Sequence, residues 1–153
     1  MTYLDRNLIA GEEILFRTKK HHIIFFLPFV WFCLCFYFTY FMWQNPILAK
    51  LIFVPWTMAA LFFSYVLLEY FTSEFAVTNK RVMMREGFFY RHTTEMRLAT
   101  ISQVNVEQSL LGQLLNYGIV AINAFGATDA FSLIAKPFVF QKTVHEQLDQ
   151  LTR

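Results

Sequence analysis

Charge is what this 153-residue chain has least of. Asp, Glu, Lys and Arg make up 16% of it, and hydrophobic residues 56%, where an ordinary soluble domain has about 25% and about 45–50%. The net charge is +2, and residues 74–153 hold eight basic and seven acidic side chains. A nucleic-acid partner is excluded on that balance, because binding a polyphosphate needs a basic face that can release its counterions. Cysteine is nearly as scarce. Cys33 and Cys35 stand two apart within one apolar run, about 200° apart around a helix, so they cannot bridge each other and read as small apolar filler.

The motifs of catalysis are missing as well. There is no G-x-S-x-G, P-loop, G-x-G-x-x-G or H-E-x-x-H, and no metal-ligand spacing. Glu12 and Glu13 are neighbours on an alternating segment and face opposite ways, so they read as a solvated edge and not as an acid–base pair. His21 and His22 abut an apolar run as polar padding. His92 falls on the apolar face of a strand and reads as a core histidine with a hydrogen-bond partner, while His145 falls on the wet side of the last helix. No catalytic, cofactor-binding or metal-binding residue is assigned, no cofactor is expected, and the chain is expected not to be an enzyme.

What is abundant is phenylalanine, nineteen residues, concentrated between Ile23 and Phe71. No charge occurs from Ile23 to Ala49, nor from Leu51 to Leu68. One bilayer crossing takes about 20 apolar residues, and this run is more than twice that. Gln44, Asn45 and Pro46 supply turn chemistry between two spans, about 23–43 and 47–70. Each carries twelve Leu, Ile, Val or Phe, worth about −4 to −7 kcal/mol of insertion free energy before polar terms. Lys50 lies near a span end and anchors by snorkelling. Pro28 and Pro55 fall early in their spans, where proline is tolerated. The stripe Phe25, Phe29, Phe32, Phe36 faces lipid or the other helix.

Orientation follows the distribution of basic residues. Arg17, Lys19 and Lys20 precede the first span, Lys80, Arg81 and Arg85 follow the second, and Lys50 alone lies in the connection. Both termini are therefore expected on the cytoplasmic side of a membrane that the chain crosses more than once. The same six cations are the expected contacts to anionic head groups.

After Phe71 the pattern alternates. Phe75–Thr78 and Arg81–Glu86 read as a hairpin around Asn79–Lys80. Phe88, Tyr90, His92, Thr94, Met96 and Leu98 then share one face of a further strand, with Gly87 in the turn before it. "ISQVNVEQ" continues as a strand with Val104 and Val106 inward. "SLLGQLLNYG" reads as a short helix capped by Ser109, packed through Leu110, Leu111, Leu114 and Leu115, and ended by Gly118. Two more strands surround a turn near Gly126–Asp129. A last helix opens at Pro137 with an apolar stripe of Phe140, Val144, Leu148 and Leu151. The segment "GEEILFRTKKHH" is strand-like, and it can join the same sheet. The divisions are 1–22 as a cytoplasmic strand segment, 23–71 as a transmembrane helical hairpin, and 72–153 as a cytoplasmic β-rich domain.

Two stretches carry a family likeness. "FAVTNKRVMMREGFF" and "ISQVNVEQSLLGQLLNYG", with Gly11–Glu12 before the first span, resemble the membrane-flanked bacterial PH-domain family (YdbS-like). The matching positions are Thr78, Asn79, Arg81 and Gly87, then Ile101, Val104, Val106, Gln108–Gly112, Leu114, Leu115 and Gly118. The resemblance implies an α+β membrane protein: a two-helix transmembrane hairpin plus a PH-like bent antiparallel sheet with a C-terminal capping helix. It implies little about activity beyond binding or scaffolding at the bacterial inner (plasma) membrane. The expected function is non-enzymatic: the membrane-anchored domain, beside membrane lipids, binds or scaffolds a protein partner at the cytoplasmic face, and the Phe-rich helix faces offer a surface to other membrane proteins or to copies of the chain in a homo-oligomer. An accessory subunit of a larger membrane complex, such as a transporter or respiratory assembly, and a lipid-binding or lipid-transfer protein are the alternatives.

Overall fold

The computed structural model describes residues 4, 7–44, 47–89 and 91–151. They divide into two compact units. One is helical, residues 22–71; the other is β-rich and is made of the chain on either side of it.

The helical unit holds α1 (Phe26–Trp43), entered through a short 3-10 turn at His22–Phe25, and α2 (Phe53–Thr72), entered through another at Leu48–Leu51. With those turns included, His22–Trp43 and Leu48–Thr72 are each long and apolar enough to cross a membrane. Asn45 and Pro46, from the expected connection, lie outside the described residues. Small side chains sit where the two helices meet: Cys35 and Ala59 are buried, and the Cys35 thiol lies 3.4 Å from the Pro55 carbonyl oxygen. Small contact residues allow the close approach on which helix association in lipid depends. Trp56 Nε1 donates to Thr39 Oγ1 at 2.9 Å. Phe25, Phe32 and Phe36 pack on aromatic rings of α2, while Phe29 is exposed.

The β unit contains seven strands: β1 (Ile14–Thr18), β2 (Glu74–Thr78), β3 (Arg81–Glu86), β4 (His92–Arg97), β5 (Ile101–Glu107), β6 (Tyr117–Ala124) and β7 (Ala127–Ala135). A short helix α3 (Leu110–Leu115) joins β5 to β6, and α4 (Pro137–Leu151) closes the chain. The strands form two antiparallel sheets, ordered β1-β2-β3-β4 and β5-β6-β7. A bridge between Lys20 and Ile134 links the continuation of β1 to β7.

β1 pairs with β2 across the whole helical unit in sequence, Thr18 opposite Phe75 and Arg17 opposite Ala76. β2 is central in its sheet and buried throughout. Phe75 and Val77 face the main core, and Ala76 faces a smaller cluster with Leu4 and Met83. The main core joins both sheets through Phe131, Ile122, Val120 and Ile134, and α4 adds Phe140 and Val144. Gln141 Nε2 donates to the Val104 carbonyl at 2.7 Å, so α4 satisfies backbone on a strand whose outer edge would otherwise face water.

Four expectations of the sequence need correction. β4 begins at His92, because Gly87 turns at φ 82° and Glu86 already lies opposite His92; Phe88 and Phe89 are exposed in that turn, and Tyr90 is outside the described residues. His92 itself is exposed, its Nε2 3.0 Å from Thr94 Oγ1. The helix α3 ends at Asn116 in the left-handed region (φ 60°), while Gly118 is buried inside β6. Leu110, Leu111, Leu114 and Leu115 are all exposed.

Candidate functional site

Strand directions give the β unit two distinct ends. The chain leaves for the helical unit at one of them and returns to the same one. On the way out, Ala135 N donates to the Lys19 carbonyl at 3.2 Å, and His21 N donates to the Leu133 carbonyl at 2.6 Å. The His21 ring stacks on Tyr117 at 5.2 Å, where β6 begins. On the return, Glu74 lies opposite Arg85, one residue before β3 ends at Glu86. Call this the exit end. The opposite end of the first sheet holds the β2–β3 turn at Asn79–Lys80.

Gly11–Glu12 and the Thr78–Arg81 turn, both part of the family likeness, meet at that opposite end. The Glu12 side chain is fully buried and accepts from Arg81 Nε at 2.9 Å and Nη2 at 3.0 Å. It also accepts from Thr78 Oγ1 at 2.7 Å and from Ile9 N at 2.9 Å. Arg81 reaches Glu95 as well. Asn79 exchanges three hydrogen bonds with backbone of Gly11 and Glu13, and Lys80 Nζ donates to the Ala10 carbonyl at 2.9 Å. Burial alone would raise the Glu12 pKa. The Arg81 hydrogen bonds, the Ile9 and Thr78 donors and the Arg81 charge outweigh it and bring the carboxyl down from 4.5 to about 2. The expectation of a solvated Glu12 was wrong: it is the centre of a clasp that fastens the N-terminal segment to the β2–β3 hairpin. The signal was present in Gly11–Glu12 and Thr78–Arg81, yet a salt bridge spanning 69 positions has no local periodicity to reveal it.

The six cations expected to meet head groups do not form one patch. Lys80 and Arg81 belong to the clasp, at the far end. Arg17, Lys19, Lys20 and Arg85 stand towards the exit end. Arg17 Nη2 donates to Glu74 Oε1 at 3.4 Å, and Lys20, buried, lies 3.4 Å from Glu86 Oε1. Lys19 is exposed.

The loop between β5 and β6 is built inward by its polar and small residues. Ser109 Oγ caps α3 by accepting from Gly112 N at 3.1 Å. Gln108 Nε2 donates to the carbonyls of Tyr117 and Gly112 at 2.9 and 3.3 Å. A side chain at Gly112 would place its Cβ 2.6 Å from the Tyr117 carbonyl oxygen, and one at Gly118 would stand 2.7 Å from that of Glu107. With Gly112 pressed against the strand, the six-residue helix has no room to turn its leucines inward. A shallow hollow of about 390 Å³ lies beside it, lined by Gln108, Ser109, Tyr117 and Leu133 among others.

Among the described residues no group of three or more His, Cys, Asp or Glu is arranged to hold a metal ion. The exposed His145 has its Nδ1 2.9 Å from the Gln141 carbonyl, and His22 stacks near Tyr70 at 5.2 Å. The side chains that are both charged and buried are engaged in holding strands together.

Two bent antiparallel sheets crossed by a C-terminal helix define a PH-like domain. The sequence pattern of the bacterial PH domain matches residues 23–151, and the chain belongs to that family. The match takes in the apolar helical pair together with β2 to α4. No curated protein and no solved structure matches the chain.

Proposed function

We propose that this is a non-enzymatic protein of the bacterial inner membrane: its helical pair spans the bilayer, and its PH-like unit, on the cytoplasmic side, binds or scaffolds a protein partner. The observation that carries the reading is the pairing of β1 with β2 around residues 22–71. Strands hydrogen-bonded to each other lie on one side of a membrane, so the chain between them must cross an even number of times. Two helices of spanning length supply two crossings. Of the most apolar window in each, 11% is buried, which is unlike the core helix of a soluble protein. Excess basic residues on the β unit's flanks assign its side as cytoplasmic. Lys19 and Arg17, next to the chain's exit, are the cations suited to anionic head groups. The absence of catalytic motifs from the sequence and the bonding of the buried charges within the clasp and strand pairs favour a binding role over catalysis.

Cysteine labelling in intact cells with a membrane-impermeant thiol reagent tests the placement. A127C, exposed in the β6–β7 turn, should react only after permeabilisation, and K50C should react without it. Crosslinking in native membranes followed by mass spectrometry of the purified protein should then recover a protein at reproducible ratio. Labelling of A127C from outside the cell would overturn the orientation, and recovery of no crosslinked protein would overturn the partner role.

A further inference from the structure

The edges of the two sheets are not equally closed. β1 and β7 are bonded to each other where Lys19 and His21 meet Ala135 and Leu133, and β5 is bonded by Gln141 of α4. β4 is the last strand of the first sheet, and among the described residues it pairs with β3 alone. Leu98 N donates to the Lys80 carbonyl at 3.1 Å, which continues the β3–β4 ladder by one residue. Antiparallel bonding alternates along a strand, so, counting back from Leu98, the backbones of Met96, Thr94 and His92 are turned to β3. Thr93 and Glu95 therefore point both N–H and C=O outward, and Arg97 its N–H; the Arg97 carbonyl accepts from Thr100 Oγ1 at 2.7 Å. The strand is exposed or half-buried along its whole length.

The side chains of Thr93, Glu95 and Arg97 share one face. Where that face ends lies a hollow of about 400 Å³ lined by Ile9, Lys80, Arg81, Glu95 and Arg97. Its charges do not balance. Arg81 is held by Glu12 and Glu95. Arg97 stands directly opposite Arg81, a like-charge pairing that costs stability. Neither Arg97 nor Lys80 has a carboxylate partner among the described residues; Lys80 Nζ is turned to the Ala10 carbonyl.

We infer that β4 is a docking edge for an extended segment of the protein partner, which adds a fifth strand to the first sheet and sets an Asp or Glu opposite Arg97, in the hollow beside Lys80. The inference rests on the partner-binding reading above. The outward N–H and C=O groups of Thr93 and Glu95 supply affinity through the backbone, and the hollow supplies selection through a side chain. An acid opposite Arg97 offsets the repulsion between Arg97 and Arg81 and pairs with Lys80 as well. An acid two residues along the same strand would instead face Glu95, a like charge. The occupant is thus a strand with one acid at the hollow and a neutral or basic residue two positions from it.

Photocrosslinking of the full chain in native membranes tests this. A diazirine-bearing lysine analogue replaces Arg91, exposed just before β4, or Gln103, exposed on the other sheet. Adducts from position 91 should map by mass spectrometry to one protein, within a segment that holds Asp or Glu. R97E should lower their yield about fivefold or more, because it sets like charges opposite each other, and R97K should stay within about twofold of the parent. T93P should lower the yield as far as R97E does, at unchanged protease resistance of the β unit. Proline there removes an outward N–H, which a free edge tolerates and an added strand does not. T93V keeps that N–H and should stay within about twofold of the parent. A yield unchanged by R97E or by T93P would overturn the docking edge. Adducts to lipid, to a second copy of the chain or to a segment without an acid would overturn it too. Protein adducts from position 103 with none from position 91 would overturn the edge and leave the partner role standing. No protein adduct from either position would overturn both.

Discussion

Replacing Glu12 by Gln probes the clasp most directly, because it mimics the protonated carboxyl. The Glu12 carboxyl falls from 4.5 to about 2 on folding, and at 1.36 kcal/mol per pH unit this is worth about 3 kcal/mol. The sign follows from a pKa that folding depresses. The contribution is present in full above about pH 5, where the unfolded carboxyl is ionised, and it is lost as pH falls through the folded value. About 1.4 kcal/mol of it should remain at pH 3. E12Q should therefore cost about 3 kcal/mol at pH 7, close to the loss expected when one partner of a buried ion pair is removed. The gap between the two proteins should narrow to about 1.4 kcal/mol at pH 3 and vanish near pH 1. Urea titration of the full chain in mild detergent, read by circular dichroism of the β unit, measures it. With a slope of about 1.5 kcal/mol/M, the pH 7 midpoint should drop by about 2 M. A pH 7 midpoint unchanged by E12Q, or a gap as wide at pH 3 as at pH 7, would refute the assignment of Glu12 as the ionised centre of the clasp.

Phe140 is fully buried where α4 meets both sheets, and F140A should cost about 3–5 kcal/mol in the same titration. G112A and G118A each drive a Cβ into a backbone carbonyl at 2.6 and 2.7 Å, and should lose about 1–3 kcal/mol and protease resistance of the β5–β6 loop. The double change L110S/L114S should stay within about 0.5 kcal/mol of the parent in detergent, because surface positions contribute little to folding; a large loss would return those leucines to the core. W56F removes the hydrogen bond to Thr39 and should lower the thermal stability of the helical pair by about 0.6 kcal/mol, measured by heating in detergent.

Much of the fold was readable residue by residue. Two uncharged runs around Gln44 mark the helical pair; the hairpin of β2 and β3 follows from alternation on either side of Asn79–Lys80; and Ser109, Pro137, Phe140 and Val144 sit in the roles their spacing suggests. The site was less legible. His92 alternates correctly for a core position, yet its strand starts there and the sheet does not cover it. The leucines of α3 carry helical spacing, which in a longer helix would mean a buried stripe.

By itself the sequence determined what each segment is: greasy helix, alternating strand, capped turn. Those states depend on neighbours within one or two turns of chain, and periodicity records them. Only the tertiary structure decided that Glu12 is buried, since its partner Arg81 arrives from beyond both apolar helices. It alone decided that the leucines face out, because the approach of the Gly112 backbone to Tyr117 fills the space they would occupy. Burial is set by what the rest of the chain brings alongside, and no local pattern carries that information.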